Sequence, residues 1–342
     1  MPRAIRYLQG QLLILDQSID GGLPNNPRYI RLKTYKEVIR AIKELKIRGA
    51  PLIGVAGAYG LAIAALSLKK PTVEKLITIA REISRARPTA VNLTWAINRM
   101  LKIICDSKVP ASKLPQLLLK EAQDIEAQEE KKSILIGEIG APLLKDNSRV
   151  ITICNTGWLA SPGIGTALGV IYTAHRQGKK LQVYVLETRP LLQGARLTAY
   201  ELKQAKIPYT VITDNMIGTV MNQIDLALVG ADRIARNGDT ANKIGTLSLA
   251  IVAHYYKVPF FVVAPTSSID LTKKTGKEIP IEHRAPTEVR ILNNIYITPK
   301  DAAVYNPAFD ITPNSLISGI ITEKGIIRPP FTKSLLKIKD AD

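Results

Sequence analysis

The stretch Arg149-Val-Ile-Thr-Ile-Cys-Asn-Thr-Gly157 decides the reading of this chain, because a β-branched apolar run passes directly into a polar turn that ends on glycine. Such side chains favour a pleated strand, and Asn-Thr-Gly marks where it stops. The pattern recurs at residues 181–185, 209–213, 225–229 and 259–263, with helix-like stretches between the runs. Strands alternating with helices specify a parallel sheet covered on both faces. The expected fold class is α/β, with a Rossmann-like parallel-sheet catalytic domain over residues 146–342. Ligands bind beyond the carboxyl ends of the strands in such sheets. The polar strings Cys154-Asn-Thr-Gly157, Glu187-Thr-Arg-Pro190, Asp214-Asn215 and Gly230-Ala-Asp-Arg233 all fall there.

Upstream, a region of short strands over residues 4–31 leads into apolar spacing of helical period, as in Val38, Ile39, Ala41, Ile42 and Leu45. Helices are expected over 35–46, 52–68, 73–85, 92–105 and 112–135, with Thr72 a start signal and Pro88 a stop signal for the third. These make a smaller, mostly helical domain over residues 1–145, joined to the sheet domain near Lys145-Asp-Asn-Ser148. Residues 51–68 are uncharged and about long enough to span a bilayer. Gly54, Gly57, Gly60 and scattered alanines make the segment weakly apolar, so a buried, closely packed helix is expected and no membrane partner. The charged tail from Lys333 is expected to fray.

A chain of 342 residues with 46% hydrophobic residues can bury a sizeable core. Its formal net charge of +18 raises nucleic acid as a partner, but the cations are dispersed and aromatics make up 5%, which leaves few surfaces for stacking bases. A solvated basic surface that also favours an anionic substrate is the better reading. Two cysteines cannot build a disulfide framework, and Met-Pro-Arg-Ala-Ile-Arg at the start lacks the apolar run of a signal peptide, so a cytoplasmic setting is expected. His175, His254 and His283 have neither metal-ligand spacing nor a triad partner in view, and no metal is expected. In Gly163-Ile-Gly-Thr-Ala-Leu-Gly169 the dinucleotide pattern would need glycine at 168, where leucine stands. Those glycines are expected instead to let backbone N–H groups approach a phosphate at a helix N-terminus, and no cofactor is implied.

Cys154 should sit at a strand end over the crevice, where a thiol serves chemistry rather than packing. Cys105, on an apolar helix side, reads as a small buried side chain. Asp232 ends a buried strand, where desolvation raises a carboxyl pKa towards the range useful for proton transfer.

The strings Arg48-Gly-Ala-Pro51, Arg87-Pro-Thr-Ala-Val-Asn-Leu93, Cys154-Asn-Thr-Gly157, Glu187 through Ala199, Gly230-Ala-Asp-Arg-Ile234 and Asn242-Lys-Ile-Gly-Thr246 together resemble the methylthioribose-1-phosphate isomerases. The resemblance continues in order through Thr275–Glu282, Asn306–Pro313 and Ile320–Pro330. That family shares its fold with ribose-1,5-bisphosphate isomerases and with regulatory subunits of the guanine-nucleotide exchange factor of translation initiation, which are the alternatives. The resemblance implies an aldose–ketose isomerase of methionine salvage and a homodimer. It implies Cys154 and Asp232 as catalytic residues, and Arg48, Gly49, Ala50, Arg87, Gln193, Asn242 and Lys243 as ligands of a sugar phosphate. Guanidinium groups, exposed amides and side-chain amides suit phosphate and hydroxyls. The chain departs from the family pattern at Ile153 and Leu186, where polar His and Asp would stand, and at Trp158, where a small residue would. The methylthio end of the sugar is expected against apolar side chains near Trp158 or Leu159.

Overall fold

Three short antiparallel strands open the chain, β1 (Ile5–Leu8), β2 (Gln11–Leu15) and β3 (Tyr29–Leu32), in the computed structural model, which describes residues 3–87, 90–106 and 108–339. Five helices follow: α1 (Tyr35–Lys43), α2 (Ala50–Ser67), α3 (Val73–Ser84), α4 (Val91–Ile104) and α5 (Leu114–Gly140). Thr34 and Glu37 start α1 with a reciprocal capping box, and Thr72 caps α3 by accepting from the Lys75 N–H. Pro88, expected to stop α3, lies outside the described residues.

The long apolar segment is α2, and sixteen of its eighteen residues are buried because α1, α3, α4 and α5 all pack on it. A Cβ on Gly54 would lie 2.8 Å from the Asn92 carbonyl oxygen, and one on Gly57 would lie 2.3 Å from Leu93 Cδ1. Glycine here lets α4 rest on the α2 backbone. A helix that is apolar on every side needs such an enclosure.

The second part runs β4 (Ser148–Thr152), α6 (Ala167–Arg176), β5 (Leu181–Leu186), a π-helical turn (Gly194–Thr198), α7 (Ala199–Gln204), β6 (Tyr209–Ile212), α8 (Ile217–Val220) and β7 (Leu226–Val229). It continues with β8 (Arg233–Ala235), β9 (Thr240–Lys243), α9 (Thr246–Tyr255), β10 (Phe260–Val263), β11 (Ile269–Asp270), α10 (Thr287–Arg290), β12 (Ile291–Leu292) and β13 (Ile295–Tyr296). The last elements are β14 (Phe309–Thr312), β15 (Gly319–Thr322), β16 (Gly325–Ile327) and α11 (Phe331–Lys339).

The main sheet has the order β16-β15-β10-β7-β4-β5-β6 and is parallel except for the antiparallel edge strand β16. The chain builds outward from β4 to one side, then returns to place β7 on the other. Between β4 and β7 lies the switch point at which open α/β sheets bind ligands. Val150, Leu228 and Val263 face the core shared with the helical region, whereas Ile151, Val229 and Val262 face a second core. A smaller sheet, β11-β8-β9-β14, stands beside the end of β7.

Each of the five strands expected from sequence is present with its ends moved by one residue at most. The smaller sheet and the β15–β16 pair are not among them, because their runs are two to four residues long and mostly broken by polar residues. The tail does not fray from Lys333: α11 continues through Lys339, with Phe331 and Leu335 one helical turn apart and buried.

Candidate active site

Cys154 stands just past β4 with φ +61°, a left-handed conformation that few non-glycine residues adopt. Two threonines hold its backbone. The Thr188 hydroxyl accepts from the Cys154 N–H at 2.9 Å, and the Thr198 hydroxyl donates to the Cys154 carbonyl at 2.6 Å. Behind the cysteine, Ile153 and Leu186 are buried in the second core, so the two departures from the family pattern form an apolar floor.

Arg48 reaches this loop from the turn before α2. Its Nη1 donates to Asn155 Oδ1 at 2.8 Å and its Nη2 to the Asn155 carbonyl at 2.9 Å, with Nη2 also 3.6 Å from Cys154 Sγ. Gly49 has φ +85°, and a Cβ on it would lie 2.1 Å from the Ala160 carbonyl oxygen. Glycine thus allows the first turn of α2 to sit against the cysteine loop, where Gly49, Ala50 and Pro51 line the crevice.

Asp232 follows β7, its N–H donating to the Ala241 carbonyl at 2.9 Å. Burial raises its carboxyl pKa, against the pull of Arg87, Lys243 and Arg48. Burial lowers the Lys243 ammonium, against the opposing pull of the neighbouring Cys154 and Asp232. Lys243 Nζ donates to the Ala308 carbonyl at 3.0 Å and lies 4.9 Å from the Phe309 ring centre. The Arg87 guanidinium lies 5.5 Å from the same ring and pairs with Glu282 at 3.1 Å. One aromatic ring therefore meets both cations. Asp310, on β14, accepts from the Gly245 and Leu247 N–H groups at 2.7 and 3.1 Å and fixes the turn after Lys243, its carboxyl pushed up to about 6 by burial.

The residues singled out from sequence, Arg48, Gly49, Ala50, Arg87, Cys154, Gln193, Asp232, Asn242 and Lys243, all line one cavity. Asn242 is held by donating to the Thr246 hydroxyl at 3.0 Å, and Gln193 Oε1 is buried without a hydrogen-bond partner among the described residues. That oxygen is an acceptor suited to a sugar hydroxyl.

Some expectations fail. Trp158 and Leu159 do not line the cavity: Trp158 is buried against Tyr200, and the loop offers Ala160 and Ser161 instead. The apolar wall comes from residues such as Leu45, Pro51, Pro190, Leu191 and Phe309. Gly163 and Gly165 do not face it either, since a Cβ on them would strike Ser133 Oγ at 2.2 Å and the Gly157 backbone at 2.4 Å. They serve close packing. Cys105 is exposed, because α4 ends one residue before it. Sequence reasoning also missed Thr188, Thr198, Phe309 and the cavity residues Arg284 and Glu288, which pair with each other at 2.5 Å. Thr188 and Thr198 lie inside quoted motifs, but nothing in their spacing shows that they clamp Cys154. Among the described residues no group of three His, Cys, Asp or Glu converges as a metal site.

A sequence model of the initiation factor 2 subunit family matches residues 46–329. Methylthioribose-1-phosphate isomerase 2 of Pseudothermotoga lettingae is 51% identical over 98% of both chains, and the methylthioribose-1-phosphate isomerase of Desulforamulus reducens is 47% identical over 98% of both. Among solved structures, 5-methylthioribose 1-phosphate isomerase from Pyrococcus horikoshii OT3 superposes with a TM-score of 0.90 at 40% identity, covering 100% of this chain and 97% of its own. A structure described as translation initiation factor eIF-2B, subunit delta, from A. fulgidus has a TM-score of 0.84 at 39% identity, with 98% and 100% covered. One fold thus carries both descriptions, and the full-length identities decide between them: the chain belongs to the methylthioribose-1-phosphate isomerase family and, more widely, to the initiation factor 2 subunit family.

Proposed function

We propose that this chain isomerises 5-methylthioribose 1-phosphate to 5-methylthioribulose 1-phosphate, with Cys154 and Asp232 as the reacting side chains. The observation that carries this reading is the meeting of a thiol, a carboxyl of raised pKa and three cations in one cavity at the switch point between β4 and β7. Arg48, Arg87 and Lys243, with the backbone at Gly49 and Ala50, suit the phosphate; Gln193 and Asn242 suit hydroxyls. Phosphate caps C1, so the ring opens first: the C1–O4 bond breaks and O4 gains a proton. A hydrogen then leaves C2 and another arrives at C1, while the C2 hydroxyl loses its proton and becomes a carbonyl. Asp232, whose carboxyl pKa is raised by burial, is the donor and acceptor for the ring oxygen and hydroxyls. Cys154 acts at C1 and C2, with the Arg48 N–H beside its sulfur.

The apolar wall favours a methylthio group at C5 over a second phosphate. Burying that group contributes roughly 1–2 kcal/mol, whereas a phosphate dianion there would lack a counter-charge. Arg284, which also lines the cavity, is already engaged by Glu282 and Glu288. Retention of Cys154 and Asp232 speaks against a purely regulatory subunit. The comparison that tests this is kcat/KM for methylthioribose 1-phosphate and ribose 1,5-bisphosphate on one preparation. The first should exceed the second by about a hundredfold, and a higher value for the bisphosphate would place the chain in the other branch.

A homodimer in the cytoplasm completes the proposal. Exposed apolar side chains support the dimer, with Tyr255 and Tyr305 each 80% and Ile295 67% exposed. Light scattering that gives a monomer mass at micromolar concentration would exclude it.

A further inference from the structure

Glu201, on α7, is fully buried, and no cation lies within ion-pair distance of it among the described residues. Four donors converge on its carboxylate instead. Asn155 Nδ2 and the Leu159 N–H reach Oε1 at 2.7 and 3.1 Å; the Trp158 N–H and the Tyr172 hydroxyl reach Oε2, each at 2.9 Å. Three of the four belong to the loop that follows Cys154. The fit is close enough that a Cβ on Gly157 would lie 1.9 Å from Oε2. Turned by its bond to Glu201, Asn155 offers its Oδ1 to Arg48, whose other nitrogen lies beside Cys154 Sγ. An unpaired buried carboxylate is costly to stability, so its presence calls for a reason other than packing.

We propose that Glu201 is a positioning residue: through Asn155 and the amides of Trp158 and Leu159 it fixes the cysteine loop and aims the Arg48 guanidinium at Cys154. The inference rests on the reading of Cys154 as a reacting group. Its acceptor geometry is specific. An amide in place of the carboxylate must set its NH2 group either against the Trp158 N–H or against the Leu159 N–H and Asn155, and in both cases a loop donor loses its acceptor. Burial pushes the Glu201 carboxyl up to about 7, against the bonds from Asn155, Tyr172 and the two amides. The titratable groups facing it are Tyr172 on α6 and Tyr200 on α7, with Arg176 beyond Tyr172. Cys154 itself faces Arg48 and Lys243 and shares the cavity with Asp232.

The test uses the full chain with Cys105→Ser, which leaves Cys154 as the single thiol. Alkylation by iodoacetamide is followed from pH 6 to 9 beside thermal melting and steady-state kinetics with methylthioribose 1-phosphate. Glu201→Gln should melt cooperatively, lose about tenfold or more in kcat, and alkylate at Cys154 at a rate changed by about threefold or more at pH 8. Tyr172→Phe removes one donor to the carboxylate without touching the cysteine loop, so the step that Glu201 contributes to the alkylation profile should move to higher pH. Unchanged alkylation in a folded Glu201→Gln protein overturns the proposal, whatever its kinetics. If that variant does not fold, the Tyr172→Phe profile decides, and one that superposes on the parent's overturns it. If the parent itself turns over no substrate while the alkylation shifts hold, the functional reading fails and the positioning role stands.

Discussion

Helix α2 and the cysteine loop touch at Gly49, yet they are held by opposite means. The helix is enclosed by apolar side chains and kept in place by volume: remove a methyl group and a void remains, add one and α4 is pushed away. The loop is held by hydrogen bonds that its polar groups accept from Thr198 and Arg48 and donate to Thr188 and Glu201. The first kind of order resists unfolding and tolerates a shift of a few tenths of an ångström. The second fixes directions, which is what a reacting atom needs. Substitutions in the two regions should therefore separate stability from turnover.

The sharpest separation is expected at the reacting groups. Cys154→Ser or Asp232→Asn should lower kcat by roughly two to four orders of magnitude while the melting temperature stays close to the parent's; wild-type turnover by either variant would remove that residue from the mechanism. The converse case is Leu61→Ala, in the middle of α2 and fully buried. It should cost roughly 2–5 kcal/mol in urea unfolding and leave kcat/KM of the folded protein within about twofold. A large loss of turnover there would mean that the helix does more than enclose.

A third test crosses the two regions through pH. The Glu201 carboxyl, ordinarily near 4.5, is pushed up to about 7 in the folded chain. Unfolded chains release this proton near 4.5 and folded ones near 7, so between those values the folded state binds more protons and stability falls as pH rises. At about 1.4 kcal/mol per pH unit, the parent should lose roughly 3 kcal/mol relative to Glu201→Gln between pH 4.5 and 7, and nothing further above. Urea titrations of both proteins at pH 4.5, 6 and 7.5 measure the difference; a constant difference would show that the carboxyl is not so perturbed. The smallest effect belongs to Cys105→Ser, exposed beyond α4, with stability within about 0.5 kcal/mol and activity unchanged.

The main strands and helices are legible in the sequence because their apolar periods are long and uninterrupted, as in 181–185 and 35–43. The small sheet of β8, β9, β11 and β14 is not, since three-residue strands such as Arg233–Ala235 carry too little pattern to separate from a loop. Cys154 and Asp232 stand out as polar residues directly after buried strands. What one strand end does not reveal is how distant loops converge, so Phe309 beneath Arg87 and Lys243, and Glu201 behind Asn155, emerge only in three dimensions. Trp158 misleads for the same reason, because its place on the cysteine loop does not tell which way the ring turns.

The left-handed backbone at position 154 has a consequence for reading other chains of this fold. Glycine adopts that conformation without penalty, and asparagine with little, whereas cysteine gives up roughly 1–2 kcal/mol to hold it. Random substitution would drain a cysteine from such a place once nothing required the sulfur. A related chain with glycine or asparagine there should be a retired enzyme kept as scaffold, and one with cysteine a working isomerase. Assays on two relatives that differ at this position would establish whether a single backbone angle sorts the lineage.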